Sequence, residues 1–476
     1  MKGFIVFIAG KRLLTAVLMS ATVLASTPSM AETIFGAMAK AYKNNSELNA
    51  SRAGVRVTDE GVAIAKSGYR PVISATANLT STYTKIDGRG VGNALTGFVD
   101  HGTSNTGVFG VSVDQMLFDG FTTRNNVSAS KTQVLAAREN LRNTEQNQLF
   151  AAAQAYMDVY LTRQIVALRQ KNIEALDESL RAARARFDVG EGTRTDVAQS
   201  DAAKATAIAQ LNVAKSNQKT AEATYIQVVG EAPGRLDRAP AAKKSLPRSM
   251  DEAYAVAENT HPAILATRYA VDAAGYTVKA TEGTLLPQVS LRGEISRDEI
   301  FGDPSDLSTN SNNSTSASAG IRVTVPIYSG GRTSAQVRQG KETVAQRRIE
   351  VDVTRDDVRQ AIASAYAEME AANASIVAQR TAVAAAQLAL NGVVEERKVG
   401  QRTTLDVLNE QTNVLIAQIN LVQSERDAVV TSYAALLGAG RLTASQIGLQ
   451  VAEHRPEEHY EAVKDKWIGL RTPDSR

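Results

Sequence analysis

The segment VISATANLTSTY, residues 72–83, places an apolar side chain at nearly every second position. The apolar series is Ile73, Ala75, Ala77, Leu79 and Tyr83, and the residues between them are Ser, Thr and Asn. Side chains of a β-strand point alternately to the two faces of its sheet. The segment therefore predicts a strand with one apolar face and one polar face.

Three further segments alternate in the same way, at residues 107–118, 288–298 and 316–328. A soluble half-buried sheet also alternates and would be the better explanation for any one strand alone. However, each segment has about the 9–11 residues that a tilted transmembrane strand needs. Three of the polar positions carry charged side chains, which are tolerable only on a face in contact with water: Arg292, Glu294 and Arg322. The loops between the strands are rich in Gly, Asn, Ser and Thr, as expected of external loops.

These strands predict a membrane barrel that one chain cannot close. After the N-terminal segment, no apolar run has the length of a membrane-spanning helix. A chain that enters lipid without such a helix must do so as a closed barrel, and closed barrels have at least about eight strands. Four strands per chain would give eight in a dimer and twelve in a trimer. The arithmetic alone leaves this choice open.

The remaining sequence predicts very long helices. Residues 122–188 contain no proline or glycine, and a helix of that length spans roughly 100 Å. The second long segment repeats valine every seven residues, at Val337, Val344, Val351 and Val358, which is typical of coiled coils. We therefore predict long helices at 121–188 and 332–398, followed by shorter ones at 194–229 and 403–437. A stalk or cytoskeletal coiled coil would share these helices but leaves the strands unexplained.

The same order of parts occurs twice, in residues 32–248 and 249–450. Each unit has a first helix (34–69 and 250–285), two strands, a long helix, a Val-Gly break and a second helix. Pro71 matches Pro287, and each is predicted to end the first helix before the strand, because proline disfavours helix in the residue before it. Residues 451–476 form a charged C-terminal tail in the periplasm, which we expect to be exposed and flexible.

The first 31 residues predict a secretory signal peptide, with three basic residues, an apolar core and small residues near position 31. Without these three, the 53 basic residues of the chain become 50 and equal its 50 acidic residues, which argues against nucleic-acid binding. The chain has no cysteine, and its four histidines lack metal-ligand spacing, so we expect them to be ordinary surface or loop residues. We expect no metal, no cofactor and no enzyme activity.

The two Val-Gly segments, VGEGTRTDV at 189–197 and VGQRTTLDVL at 399–408, together with the doubled order of parts, resemble the TolC family over about residues 32–442. The resemblance implies a mixed α and β membrane protein. In that family a homotrimer forms a twelve-stranded barrel in outer-membrane lipid, continuous with a long periplasmic α-helical coiled-coil barrel. It also implies a passive duct for drugs, toxic compounds or secreted polypeptides. The partners would be a periplasmic adaptor and an inner-membrane transporter of the RND or ABC class. A periplasmic adaptor or a structural coiled-coil protein remains the alternative.

The resemblance places a gate at the periplasmic tip. Gly190 and Gly400 fall where the long helices stop and a left-handed residue is needed. Thr195, Asp196 and Asp406 follow at the start of the next helices, where capping alone would also favour them. The resemblance implies that Arg402 pairs with Asp196 in the closed state and that Asp406 forms an acidic ring. Asn409 stands where the family has a second Asp, so we expect one ring of charge and a weaker cation trap.

Overall fold

The protein, described here from a computed structural model over residues 32–85, 101–242, 246–301 and 313–473, has the same order of elements in both halves. The predicted signal peptide and most of both strand-connecting loops lie outside these residues. The first half contains α1 (Ile34–Asn44), α2 (Ser46–Ser67), β1 (Val72–Lys85), β2 (His101–Phe118), α3 (Thr122–Asp188) and α4 (Arg194–Val229). The second contains α5 (Met250–Thr260), α6 (Pro262–Gly283), β3 (Gln288–Phe301), β4 (Ser314–Thr324), α7 (Arg332–Lys398) and α8 (Thr404–Gly438), and α9 (Pro456–Val463) follows.

The first helix of each half is broken in two, which the prediction of single helices at 34–69 and 250–285 missed. Asn45 is extended, and its side chain accepts the N–H of Leu48 at 2.9 Å to cap α2. His261 is extended because it precedes a proline. Pro71 and Pro287 do not end the helices, which stop earlier. Both prolines lie directly before strands β1 and β3.

The four strands form one antiparallel sheet in the order β1-β2-β3-β4. Its register aligns residues of like polarity across the sheet. One row is apolar: Ala75, Val111, Ile295 and Ala317. The next row is polar: Ser74, Ser112, Glu294 and Ser318. The alternation expected from the sequence thus produces one apolar and one polar face.

Strand β4 is shorter than the predicted segment 316–328, because it ends at Thr324. Pro326 has no backbone N–H to donate to the ladder, so pairing cannot continue through it. On the polar face Arg292 lies 3.2 Å from Glu294 and 3.8 Å from Asp114. The outer edges of the sheet are β1 and β4.

The long helices pack in pairs, α3 with α4 and α7 with α8, and α3 also packs against α6 and α8. Three of the four valines spaced by seven are buried: Val337, Val351 and Val358. Arg426 occupies an otherwise apolar position of the α8 pattern, where its guanidinium bonds Asp158 at 2.7 Å and Asp427 at 2.9 Å. Within the described residues, no helix is both long enough and apolar enough to cross a membrane.

The thickest core lies where α1, α3, α4, α8 and the connector between the halves meet, around Met38, Leu149, Tyr156, Tyr225 and Tyr433. The hydroxyl of Tyr156 lies 2.6 and 2.7 Å from the carbonyl oxygens of Glu32 and Asp237 and thereby ties the N-terminus and the connector to α3.

Most residues of the C-terminal tail, 451–473, are exposed as expected, but helix α9 docks against the first half, which the expectation of a flexible tail did not foresee. Helix α9 packs on α2. The carboxylate of Asp59, which is fully buried, lies 3.0 Å from Nδ1 of His459. Arg138 of α3 contacts Glu457 at 3.3 Å. A buried polar contact of this kind requires a defined partner surface, which charge and composition alone did not reveal.

Candidate functional site at the tip of the helical hairpins

Two turns form the end of the molecule far from the sheet, one between α3 and α4 and one between α7 and α8. Gly190 has a φ of 80°, its N–H donates to the carbonyl of Phe187, and the N–H of Glu191 donates to that of Arg186. Gly400 has a φ of 81° and an equivalent pair of bonds. These are Schellman motifs, which close a helix and favour glycine because a Cβ is strained at positive φ.

A capping box starts the next helix in each hairpin. Thr193 caps α4, and its backbone N–H and hydroxyl both donate to Oδ2 of Asp196, at 3.2 and 2.6 Å. Thr403 caps α8 and bonds Asp406 in the same way, each bond at 2.8 Å. The two carboxylates therefore stabilise the helix starts and satisfy backbone donors that would otherwise lack a partner.

The same bonds keep both carboxylates charged. The hydroxyl of Thr193, followed by that of Thr404, holds the pKa of Asp196 below its ordinary value. The backbone N–H of Thr403, followed by its hydroxyl, lowers the pKa of Asp406. Hydrogen bonds to the ionised form favour that form. Asp196 and Asp406 are therefore held in the charged form at the tip of each chain.

Arg402 does not contact Asp196 within the protomer. Its Nε donates to Glu396 at 2.8 Å, in the last turn of α7. The groups that approach Asp196 from the other hairpin are the hydroxyl of Thr404 and the guanidinium of Arg397. Sequence reasoning missed Arg397 and Glu396. Basic residues favour the last turn of a helix, and this was the one signal that marked Arg397.

Apolar side chains are also exposed at the tip. Val189 is 71% exposed and Val399 is 72% exposed, one at each turn. Thr195 and Asn409 are exposed as well, and Asn409 lies one helical turn beyond Asp406. Above the tip, Leu176, Ala207 and Leu408 form a small buried cluster that joins the two hairpins. In the described parts of the chain, no cluster of His, Cys, Asp and Glu is arranged to hold a metal ion.

Comparison of the sequence with known proteins identifies its family. The model of the family described as "Outer membrane efflux protein" matches residues 37–231 and 253–439. The chain is 58% identical over 475 residues to the outer membrane efflux protein BepC of Brucella suis biovar 1 (strain 1330), covering 99% of this chain and 100% of BepC. It is 26% identical over 333 residues to the alkaline protease secretion protein AprF of Pseudomonas aeruginosa, covering 68% of each chain.

The fold is also that of a solved channel. The crystal structure of the Campylobacter jejuni CmeC outer membrane channel superposes with a TM-score of 0.73 at 16% sequence identity, covering 90% of this chain and 89% of that one. The alternatives left open by the sequence, a periplasmic adaptor or a structural coiled-coil protein, gain no support from these similarities. The chain therefore belongs to the outer membrane efflux protein family, the TolC family, and is an outer-membrane channel for efflux or type I secretion that extends into the periplasm.

Proposed function

We propose that three copies of this chain close a twelve-stranded barrel in the outer membrane, with a water-filled lumen continuous with a periplasmic helical barrel. The edges β1 and β4 each present a row of backbone donors and acceptors, and lipid tolerates such edges only when they are paired. Pairing β1 of one chain with β4 of the next adds strands in multiples of four. An eight-stranded barrel is filled by its own side chains, so a duct needs at least three chains.

The two faces of the sheet support this orientation. The apolar row containing Val111 and Ile295 would face lipid, and the polar row containing Ser112 and Glu294 would face water in the lumen. The ion pairs of Arg292 then lie on the wet side, where their charges stay hydrated.

Helix α7 supports an oligomer independently of the sheet. It leaves several large apolar side chains exposed in the protomer: Ile349, Val353, Val377 and Leu388. Because these four positions repeat with heptad spacing along one stripe of the helix, they are typical of a surface that another helix covers. A ring of protomers would bury them and extend the coiled-coil wall of the duct. The repeated order of elements then gives six similar units around the axis, consistent with an internal duplication.

The tip is the part of this duct that we propose as its gate. Three Asp406 carboxylates brought near the threefold axis would repel one another and attract cations. Asn409, one turn further along α8, is neutral, so the charge is confined to one ring. A guanidinium has five N–H donors. The Glu396 bond uses the one on Nε of Arg402, which leaves the terminal nitrogens for Asp196 of a neighbouring protomer.

Arg402→Ala tests this gate by single-channel conductance in planar bilayers. We expect a higher conductance in the resting state, because the variant loses a contact that holds neighbouring hairpins together. Lys398→Ala is the matched control: it removes one positive charge close to the same turn, and its partner is Glu395 on the surface of α7. An unchanged resting conductance in Arg402→Ala, or an equal increase in the control, would show that Arg402 does not hold the gate closed.

The tip also suggests where partners bind. The exposed Val189 and Val399 give each hairpin an apolar end that a periplasmic adaptor can cover, and the adaptor would connect the duct to an inner-membrane transporter of the RND or ABC class. Identity to an efflux protein over the whole chain favours drugs and other toxic compounds as cargo. The relative named for alkaline protease secretion keeps secreted polypeptides as the second candidate. The protein itself would act as a passive duct, with energy supplied by the transporter.

Crosslinking in cells, followed by identification of the attached inner-membrane proteins, tests this partner assignment. Val399→Asp should lose the adaptor crosslink, because it places a charge in an apolar contact, while trimers still form. An undiminished crosslink in a variant that assembles normally would locate the adaptor site elsewhere.

A further inference from the structure

The last described part of the tail carries apolar side chains that the protomer leaves open. Residues 466–471 read KWIGLR and follow α9 without regular structure. Ile468 is 89% exposed and Leu470 is fully exposed, and Trp467 is also exposed. We call these six residues the tail anchor. Three apolar side chains in so short an exposed segment need a partner.

Two contacts fix the tail anchor next to the start of β1. The guanidinium of Arg70 stacks on the ring of Trp467, 4.5 Å from its centroid, and its Nη1 donates to the carbonyl of Lys466 at 3.0 Å. Just before the anchor, Asp465 forms a salt bridge with Lys66 near the end of α2. Arg70 stands two residues before Val72, the first residue of β1, so their Cα atoms are at most about 7 Å apart. Trp467 therefore lies at the level where the sheet begins.

Other aromatic side chains mark the same level. Tyr69 precedes β1, Phe121 follows β2 and Tyr328 follows β4, and all three are exposed in the protomer. Aromatic residues concentrate at the headgroup level of membranes, because their rings are amphipathic. The anchor adds a tryptophan to this girdle and flanks it with Lys466 and Arg471.

We propose that the tail anchor inserts into the periplasmic leaflet of the outer membrane and that its partner is phospholipid. Trp467, Ile468 and Leu470 would lie among the upper acyl chains, and the basic residues would lie at the headgroup phosphates. This is the pattern of an interfacial segment: apolar residues buried shallowly and cations beside them. The proposal rests on the barrel described above, because the barrel sets where the membrane lies.

The anchor must lie outside the duct for this to hold. The tail packs on α2 and contacts α3 as a second layer over the helical wall. Three such layers placed inside the wall would occupy the lumen of a conducting channel. The outer surface, directly below the lipid-facing row of β1, is therefore the side that accommodates them.

The protein carries its own reporter, because Trp467 is the single tryptophan of the chain. The full-length protein is reconstituted in vesicles of phosphatidylethanolamine and phosphatidylglycerol that contain lipids brominated either near the headgroup end of the acyl chain or near its middle. We expect tryptophan emission to be lost with the shallow bromines, to be less affected by the deep ones, and to be protected from aqueous acrylamide. The double variant Ile468→Ser with Leu470→Ser keeps Trp467 and should lose most of the bromine quenching while its trimers remain intact.

Two outcomes would refute the proposed insertion of the tail anchor into lipid. Emission quenched by acrylamide but not by either brominated lipid would place the segment in water. Protection from all three quenchers would place it against protein, such as a second copy of this chain. Flotation and conductance of the same vesicles separate the two proposals: a protein that fails to insert refutes the barrel and the anchor with it, whereas an inserted, conducting channel with unquenched Trp467 refutes the anchor alone.

Discussion

Acid should destabilise this protein through one buried imidazole, that of His261 between α5 and α6. The residue is almost fully buried. Its Nδ1 accepts the N–H of Ala263 at 3.2 Å, and the ring also bonds the backbone of Leu437. Gly440 packs against it, and a Cβ at position 440 would lie 3.0 Å from the Cα of His261. Nδ1 as an acceptor requires the neutral ring, because the protonated ring has only donors. His261 lies in the break between two helices, as the expectation of a surface or loop residue allows, but its burial was not foreseen.

The size of the effect follows from the pKa. Burial lowers the pKa of His261 from 6.5 to about 4, and the bond to Leu437 opposes the shift. In the unfolded chain the ring takes up its proton at the ordinary pKa. As the pH falls below that value, proton binding to the unfolded state lowers the free energy of unfolding. The contribution is complete above about pH 6.5 and is lost progressively down to about pH 4. A shift of this size corresponds to about 3 kcal/mol per chain.

The measurement is thermal unfolding of the detergent-solubilised protein by circular dichroism across pH 7 to 4, or the unfolding rate at fixed temperature where unfolding is irreversible. His261→Asn is the comparison, because asparagine also caps a helix but does not titrate in this range. Other groups, such as Glu145, whose pKa is raised by burial, titrate in both proteins and cancel. We expect the variant to lose about 3 kcal/mol less than wild type over the same pH interval. Equal losses in the two proteins would refute the reasoning.

Tyr156→Phe should lower the free energy of unfolding by about 1–3 kcal/mol, because it removes a buried hydroxyl that lies within hydrogen-bond distance of two carbonyls and accepts the N–H of Asp237. Tyr433→Phe should change it little, because that buried hydroxyl has no hydrogen-bond partner among the described residues; thermal unfolding of both variants checks the contrast. Gly120→Ala should reduce the yield of folded protein, since its Cβ would lie 2.1 Å from a backbone oxygen of α6. Gly190→Ala, which meets no atom within 4 Å, should lower the free energy of unfolding by only about 1–2 kcal/mol, the strain of its positive φ. Asp406→Asn should lower the cation selectivity measured from reversal potentials, and an unchanged value would place the acidic ring elsewhere.

The elements that the sequence predicted well are those governed by a local period. Alternation in residues 72–83 is enough to specify a strand and its two faces, and the absence of breakers in residues 122–188 is enough to specify one helix. The breaks at Asn45 and His261 also had local signals, a capping side chain and a following proline. Those signals were outweighed by helical periodicity on both sides, so two short helices were predicted as one.

Contacts between elements could not be predicted in the same way. The Arg402 guanidinium bonds Glu396 on its own hairpin and not Asp196, the partner that was expected. The choice between these carboxylates depends on how the two helices are oriented across the turn, which the sequence does not specify. The docking of the tail depends on Asp59, which sequence position alone gives no reason to bury. Charge in the tail predicted exposure, because isolated charged residues are rarely buried, but a paired carboxylate and imidazole are an exception that only the fold reveals.

The single chain leaves two kinds of surface without partners, and the proposed trimer would cover both. The edges β1 and β4 lack neighbours, and α7 exposes apolar side chains such as Val377 and Leu388. Lipid would make the edges costly, and water would make the apolar side chains costly, so an isolated chain is unstable in either environment. Closing the proposed ring would then be part of folding, and stability would depend on the concentration of the chain. In the proposed trimer the same closure would bring three Asp406 carboxylates together at the far end, so the number of chains that seals the barrel would also set the charge at the tip.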